Sequence, residues 1–298
     1  MRADLATLRR PLLAVFVGVF VWSVFAHGIP IDRLAVLAWM LGGFAVASLG
    51  RTRDEIVLMV RDWFVLVLIW MAYDYSRGTA DQWGIPVSYE GPRNLDRLIT
   101  FGNDPVIVMQ EAFYIPHDVR WWDVAGAVVY MSHFVLPVLP LALLRVRDRL
   151  AWLAYVRRFS LTLGIAVVGF IVYPAAPPWM ASRDGYLDRV DRITGRGWWE
   201  LNLRTVSRTF DRGAAVLNPV AAMPSLHAGL ALLVTLWFTR GRPAPVRTVA
   251  MVFPVTMGAA LVYFGEHYLV DVLAGWLVVL LAFALADRWE RRRGLVPA

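Results

Sequence analysis

Cysteine is absent from this sequence, and so is lysine. Without cysteine there is no disulfide framework, no thiolate nucleophile and no metal–thiolate site. Without lysine, all 30 basic residues are arginine, so no ammonium side chain is available for any task. Charge is sparse: 18% of the 298 residues are acidic or basic, against roughly 25% in an ordinary soluble domain. Short segments of alternating polarity are missing too, which argues against an outer-membrane barrel.

What fills the chain instead is apolar residue, 58% of it, gathered in long runs. About 20 such residues cross a hydrocarbon layer of roughly 30 Å as a helix. The sequence therefore reads as an all-α polytopic membrane protein. Eight candidate spans stand at roughly 11–27, 34–50, 56–73, 121–144, 153–173, 220–239, 247–265 and 267–287. The first follows "MRADLATLRR" and reads as a retained span rather than a signal peptide, since no small-residue cleavage site stands out and further spans follow. Arg61 and Asp62, inside the third span, read as a snorkelling or paired couple without function.

Charge sorts the connections. "RTRDE", "RVRDR", "RGRPAPVR" and "DRWERRR" are rich in arginine, whereas "HGIPID" and "GEH" are not. The positive-inside rule puts the first set in the cytoplasm, together with both termini. The net charge of +7 is thereby explained by topology, not by nucleic acid. Two long stretches, 74–120 and 174–219, face outward on this scheme. They mix Trp, Tyr and Arg with apolar repeats such as Leu187, Val190 and Ile193, which predicts interfacial helices lying on the membrane. There is no tandem repeat, no low-complexity tract and no separate soluble domain.

Of five histidines, His27, His117 and His133 read as local hydrogen-bonding residues. The other two differ. His227 opens the sixth span in "NPVAAMPSLHAGLALL". Pro224 suits a first helical turn, where its missing N–H costs nothing. The free N–H groups beyond it favour an anion, and Ser225 adds a hydroxyl. His267 opens the eighth span in "YFGEHYLVDVLAGW", with Asp271 four residues on. That spacing puts the two on one helix face. The carboxylate there accepts the Nδ1 proton, fixes the tautomer and leaves Nε2 free to attack. Ionisable groups at membrane depth are functional candidates by default. A metal site built from His227, His267, Asp271 and Glu266 is an alternative use of the same cluster.

"PSLH" followed forty residues later by "HYLVD" resembles the type 2 phosphatidic acid phosphatase superfamily. Leu226 after the serine, "GEHYLVDVLAG" and "YPAAPPWM" (Tyr173 to Met180) resemble the branch of inositol phosphorylceramide synthase and the sphingomyelin synthases. The resemblance covers roughly residues 56 to 287 and implies a six-helix catalytic core. The two spans within 1–55 are an addition to it, and 288–298 is a basic cytoplasmic tail. Two features of the phosphatase branch are missing. The motif Lys-x₆-Arg-Pro cannot occur without lysine, and the Ser-Arg ahead of the second histidine falls on Ala260 and Leu261.

The resemblance implies a chemistry. His267 attacks phosphorus and forms a phosphohistidine, Asp271 orients it, and His227 serves as acid and then base. No metal or cofactor is required. Ser225, Tyr173, Arg183, Arg208 and Arg212 are the candidate substrate contacts, the three arginines standing in for the missing cations. The substrate is a membrane lipid with a phosphate group, taken at the outer face of a bacterial-type plasma membrane. The acceptor is a lipid or polyol hydroxyl, which makes the protein a transferase with inositol phosphate as a candidate cargo. If it is water, the protein is a lipid phosphate phosphatase. From other classes, a transporter predicts charge near the membrane midplane, and a scaffold predicts no effect of His267→Ala.

Overall fold

The computed structural model describes residues 2–27, 33–79, 82–200 and 220–295. Among them there is no strand, and the helices are α1 (Arg2–His27), α2 (Arg33–Ser48), α3 (Arg53–Gly78), α4 (Gly91–Ile99), α5 (Pro105–Phe113), α6 (Trp121–Val135), α7 (Leu139–Arg147), α8 (Arg149–Val172), α9 (Pro178–Arg183), α10 (Arg196–Glu200), α11 (Leu226–Thr239), α12 (Ala244–Ala250), α13 (Val252–Tyr263) and α14 (Leu269–Arg292). Five helical segments are long and apolar enough to cross a membrane, and six if the bent pair α6–α7 forms one span. The two shorter apolar helices lie within α2 and at α11. α11 has 14 residues, about 21 Å at 1.5 Å per residue, less than a full crossing.

The described residues form two compact units, one within residues 2–68 and the other of residues 69–200 with 220–295. In the first, α1 packs on α2 through Phe16 and Phe20, whose rings meet Trp39 edge-on at 5.4 and 5.0 Å. α3 starts with a reciprocal cap: the Thr52 hydroxyl accepts the Glu55 N–H, and the Glu55 carboxylate accepts the Thr52 N–H.

The second unit is a bundle of α6, α8, α11, α13 and α14. Asp148 caps α8, accepting the N–H groups of Leu150 and Ala151. α11 and α14 touch almost backbone to backbone. A Cβ at Gly275 would stand 2.1 Å from the Ser225 carbonyl oxygen, and one at Gly229 would stand 3.0 Å from the Gly275 carbonyl. Only glycine permits this approach. At the far end of the bundle, the guanidinium of Arg158, fully buried on α8, reaches Glu290 at 2.8 Å and also Asp287. Arg240, at the end of α11, reaches Asp287 at 3.0 Å. Three helices are thus tied by ions at one end, and two of them, α11 and α14, by glycine contact nearer the other.

The two long connections both contain helices, α4 and α5 in one and α9 and α10 in the other. One part of the expectation fails: Leu187, Val190 and Ile193 belong to no helix, yet all three are buried. Their segment is held by other elements instead. Gln110 of α5 donates to the carbonyls of Asp191 and Tyr263 and accepts the Asp191 N–H. Ile193 N–H donates to the Phe264 carbonyl. With its backbone groups met from outside, the segment has no need of a helix to satisfy them.

Candidate active site

α14 brings the first group of residues together. The helix begins at Leu269, so His267 stands two residues ahead of it rather than on its face as the spacing predicted, and Asp271 lies in its first turn; the two still meet, with His267 Nδ1 3.4 Å from Asp271 Oδ2. Asp271 is fully buried, and the same oxygen accepts the Tyr268 N–H at 2.9 Å. A second carboxylate, also fully buried, meets this helix end from α4: Asp96 accepts the N–H groups of Leu269 and Val270 at 2.9 and 2.7 Å. Two of the unpaired donors of the first turn are thereby satisfied. Burial pushes the Asp96 carboxyl up to about 6, and these two hydrogen bonds oppose the shift. Arg93, one turn before Asp96, is raised above its ordinary value, chiefly by its hydrogen bonds to Asp104.

α11 brings the second group. It begins at Leu226, six residues later than the apolar run suggests, because Ser225 is its cap. The Ser225 hydroxyl accepts the Ala228 N–H at 3.4 Å, which leaves the hydroxyl proton free to donate. Pro224 therefore precedes the helix rather than sitting in its first turn. The Ser225 N–H donates to the Asp271 carbonyl at 2.9 Å, which fixes the start of α11 level with the start of α14. His227 and His267 consequently face each other with ring centroids 5.8 Å apart.

The sequence pattern assigns His133 only a local hydrogen-bonding role, whereas the structure sets it against His227. On α6 its ring stands 4.0 Å from that of His227, while Tyr130 stacks on the same imidazole at 4.9 Å. Both residues lie on one face of the fourth apolar run, three apart, and that spacing was the available signal. Asp96 and Arg192 were missed outright. Arg192 grips Glu266, the neighbour of His267, with both guanidinium arms at 2.7 and 3.2 Å and lies over Trp179. Thr194 also donates to that carboxylate. Among the described residues, no three of His, Asp and Glu are placed to share a metal ion.

The other candidate contacts are placed less centrally. The Tyr173 hydroxyl is 3.1 Å from that of Ser88. Around this pair, Ser88, Ala175 and Ala221 are laced by parallel bridges that join three loops, one of them leading into α11. Arg183 is exposed and doubly bonded to the adjacent Asp184, with its guanidinium over Trp179. Asp184 is held below the usual carboxylate range by that guanidinium. Arg208 and Arg212 lie outside the described residues.

The site thus consists of two opposed imidazoles, one backed by a buried carboxylate, at the level N-terminal ends of two parallel apolar helices. The model of the PAP2 superfamily matches residues 100–285, well over half of the chain. The chain belongs to that superfamily and is an integral membrane enzyme of lipid phosphate chemistry. A phosphoinositol dihydroceramide synthase of Bacteroides thetaiotaomicron is 26% identical over 223 residues, covering 72% of each chain. The inositol phosphorylceramide synthase catalytic subunit of Schizosaccharomyces pombe is 20% identical over 263 residues, which is 83% of this chain and 59% of that protein. That of Saccharomyces cerevisiae is 27% identical over 125 residues, 38% of this chain and 28% of that one. No solved structure matches the chain.

Proposed function

We propose that this protein moves a phosphate-linked headgroup, inositol phosphate foremost, from a phospholipid to the hydroxyl of a ceramide-type lipid through a phosphohistidine on His267. The observation that carries the reading is the opposed pair His227 and His267, with Asp271 behind His267. The names of the relatives supply the substrate class.

Asp271 accepts the Nδ1 proton of His267, so the lone pair sits on Nε2 and points away from the carboxylate. Nε2 attacks phosphorus; the P–N bond forms as the P–O bond to diacylglycerol breaks. His227, protonated, gives its proton to the departing oxygen. The acceptor hydroxyl then loses its proton to His227 and attacks phosphorus, and the P–N bond breaks. The donor's charges and the catalyst's proton balance over the two steps, and no metal enters. Splitting one displacement into two is the gain of covalent catalysis, and the acid–base help of His227 is worth roughly 10²–10⁴-fold.

The missing cations fit a diester substrate. A phosphodiester carries one negative charge, whereas a phosphomonoester carries about −1.5 to −2 at neutral pH. A site with no lysine and an arginine already engaged by Glu266 suits the smaller charge better. Ser225, Tyr173 and Arg183 are proposed to bind substrate around the imidazoles, with Arg208 and Arg212 as further candidates. The core is proposed to be residues 56–287, with 1–55 an added pair of helices and 288–298 a basic tail. The site is proposed to open on the outer face of the membrane, with both termini inside.

The test uses purified protein in lipid nanodiscs containing EDTA, offered phosphatidylinositol with ceramide and read by mass spectrometry. The wild type is expected to make a phosphodiester sphingolipid and diacylglycerol, and His267→Ala to make neither while keeping its melting temperature. Release of free inositol phosphate without new lipid would replace the transferase by a hydrolase. Turnover retained in His267→Ala would overturn the covalent step.

A further inference from the structure

A second feature lies at the opposite end of α14. There residues of α8 and α14 line an open groove of about 610 Å³: Arg157, Leu161, Leu285, Arg288, Trp289 and Arg292. Its size is in the range that takes a small ligand. Leu161, Leu285 and the Trp289 ring form an apolar floor, and the three arginines stand around it.

Depth places this groove at a lipid headgroup layer. From Asp271 to Arg288 is 17 residues and to Arg292 is 21, about 26 and 32 Å along a helix. A hydrocarbon layer of roughly 30 Å separates the two headgroup regions. The groove therefore sits at the leaflet opposite the imidazoles, a full membrane thickness from the chemistry.

The charges there are not balanced. The ion pairs and the groove lining at this end of the bundle involve five guanidinia, Arg157, Arg158, Arg240, Arg288 and Arg292, against two carboxylates, Asp287 and Glu290, and Arg293 adds a further one over the Trp289 ring. The carboxylates are consumed by Arg157, Arg158 and Arg240. Arg288 and Arg292 are exposed, one helical turn apart, and have no ion-pair partner among the described residues. Arg157 is already oriented, tied to the buried Glu290 and lying 4.2 Å over the Trp289 ring. A fixed cation, two unpaired ones and an apolar floor at headgroup depth match an anionic lipid: phosphate on the arginines, upper acyl chain on the leucines.

We propose that this groove is a binding site for an anionic phospholipid of the leaflet opposite the catalytic site, held by Arg157, Arg288 and Arg292. This does not depend on the headgroup-transfer reading, because the groove shares no residue with the imidazole site.

The full chain is to be released from nanodiscs of equal phosphatidylglycerol and phosphatidylcholine and weighed by native mass spectrometry. The wild type is expected to retain one phosphatidylglycerol per chain beyond any lipid in the catalytic site, with roughly tenfold or greater preference over phosphatidylcholine, since each arginine near the surface contributes severalfold. Arg288→Gln with Arg292→Gln, both on exposed positions, should lose that one lipid. Arg291→Gln, a neighbouring exposed arginine outside the groove, should keep it. No preference in the wild type, retention in the double variant, or equal loss in Arg291→Gln would each overturn the proposal.

Discussion

Asp96 shows what one buried carboxylate does for the site. It holds two backbone N–H groups at the mouth of α14 and so sets the angle at which His267 is presented. Burial has raised its carboxyl to about 6, from an ordinary value near 4. The folded state therefore binds the proton more tightly than the unfolded state does. Its contribution to stability is complete below pH 4 and is lost as pH rises through 6, by at most about 3 kcal/mol for two units. The charged and titratable groups that face it are Asp271, Asp104 and Tyr268, and they are the same in both proteins under comparison. Asp96→Asn is expected to flatten the fall in melting temperature between pH 4 and 6 relative to wild type. Parallel curves for the two proteins would show that Asp96 does not titrate in this window.

At the scale of elements, the contact between α11 and α14 sets the geometry of the site. Ser225 and Asp271 share a hydrogen bond at the point where Gly275 passes the Ser225 carbonyl. Gly275→Ala puts a methyl 2.1 Å from that oxygen, so the helices must part. The expected cost in stability is about 1–3 kcal/mol. Activity is expected to fall further, roughly 100-fold, because displacing a reacting group by about 1 Å has that effect. Gly164→Ala on α8 is the control, since its added methyl meets nothing within 4 Å. It should leave both melting temperature and turnover unchanged, and equal losses in the two variants would remove the special role of the glycine contact.

At the scale of the molecule, ions replace glycines as the tie at the far end of the bundle. Arg158 is fully buried and Glu290 nearly so, and the two are joined by two hydrogen bonds across α8 and α14. Such a pair adds little over an apolar equivalent, but removing one member strands a buried charge at about 3–5 kcal/mol. Arg158→Gln is expected to lower the unfolding free energy by about 3–5 kcal/mol, read as a fall in melting temperature, while the fraction that remains folded keeps its turnover, because the imidazoles lie about 28 Å from Glu290 along α14. A loss of turnover in fully folded protein would mean that the two ends of the bundle are coupled.

How much of this was legible in the sequence follows from what each signal measures. Apolar runs and arginine-rich connections report the solvent around the chain, so the all-helical membrane class could be read directly, as could the closeness of His267 to Asp271, four residues apart, although His267 stands just ahead of the helix rather than on its face. The meeting of His227 with His267 was legible only as two residues at corresponding ends of their spans and through the family's motifs. The end of the helix at Ser225 was not, because the apolar pattern continues through Val220, Ala221 and Ala222 while the backbone does not. Asp96, His133 and Arg192 come from segments 74 to 173 residues away from their partners. No periodicity links such distances, since only packing chooses which polar side chain reaches a helix end or an imidazole. The sequence by itself determined the solvent the protein lives in and the chemistry its histidines can do; the tertiary structure decided which buried groups orient them, because unpaired polar atoms away from water must find partners wherever the fold brings them.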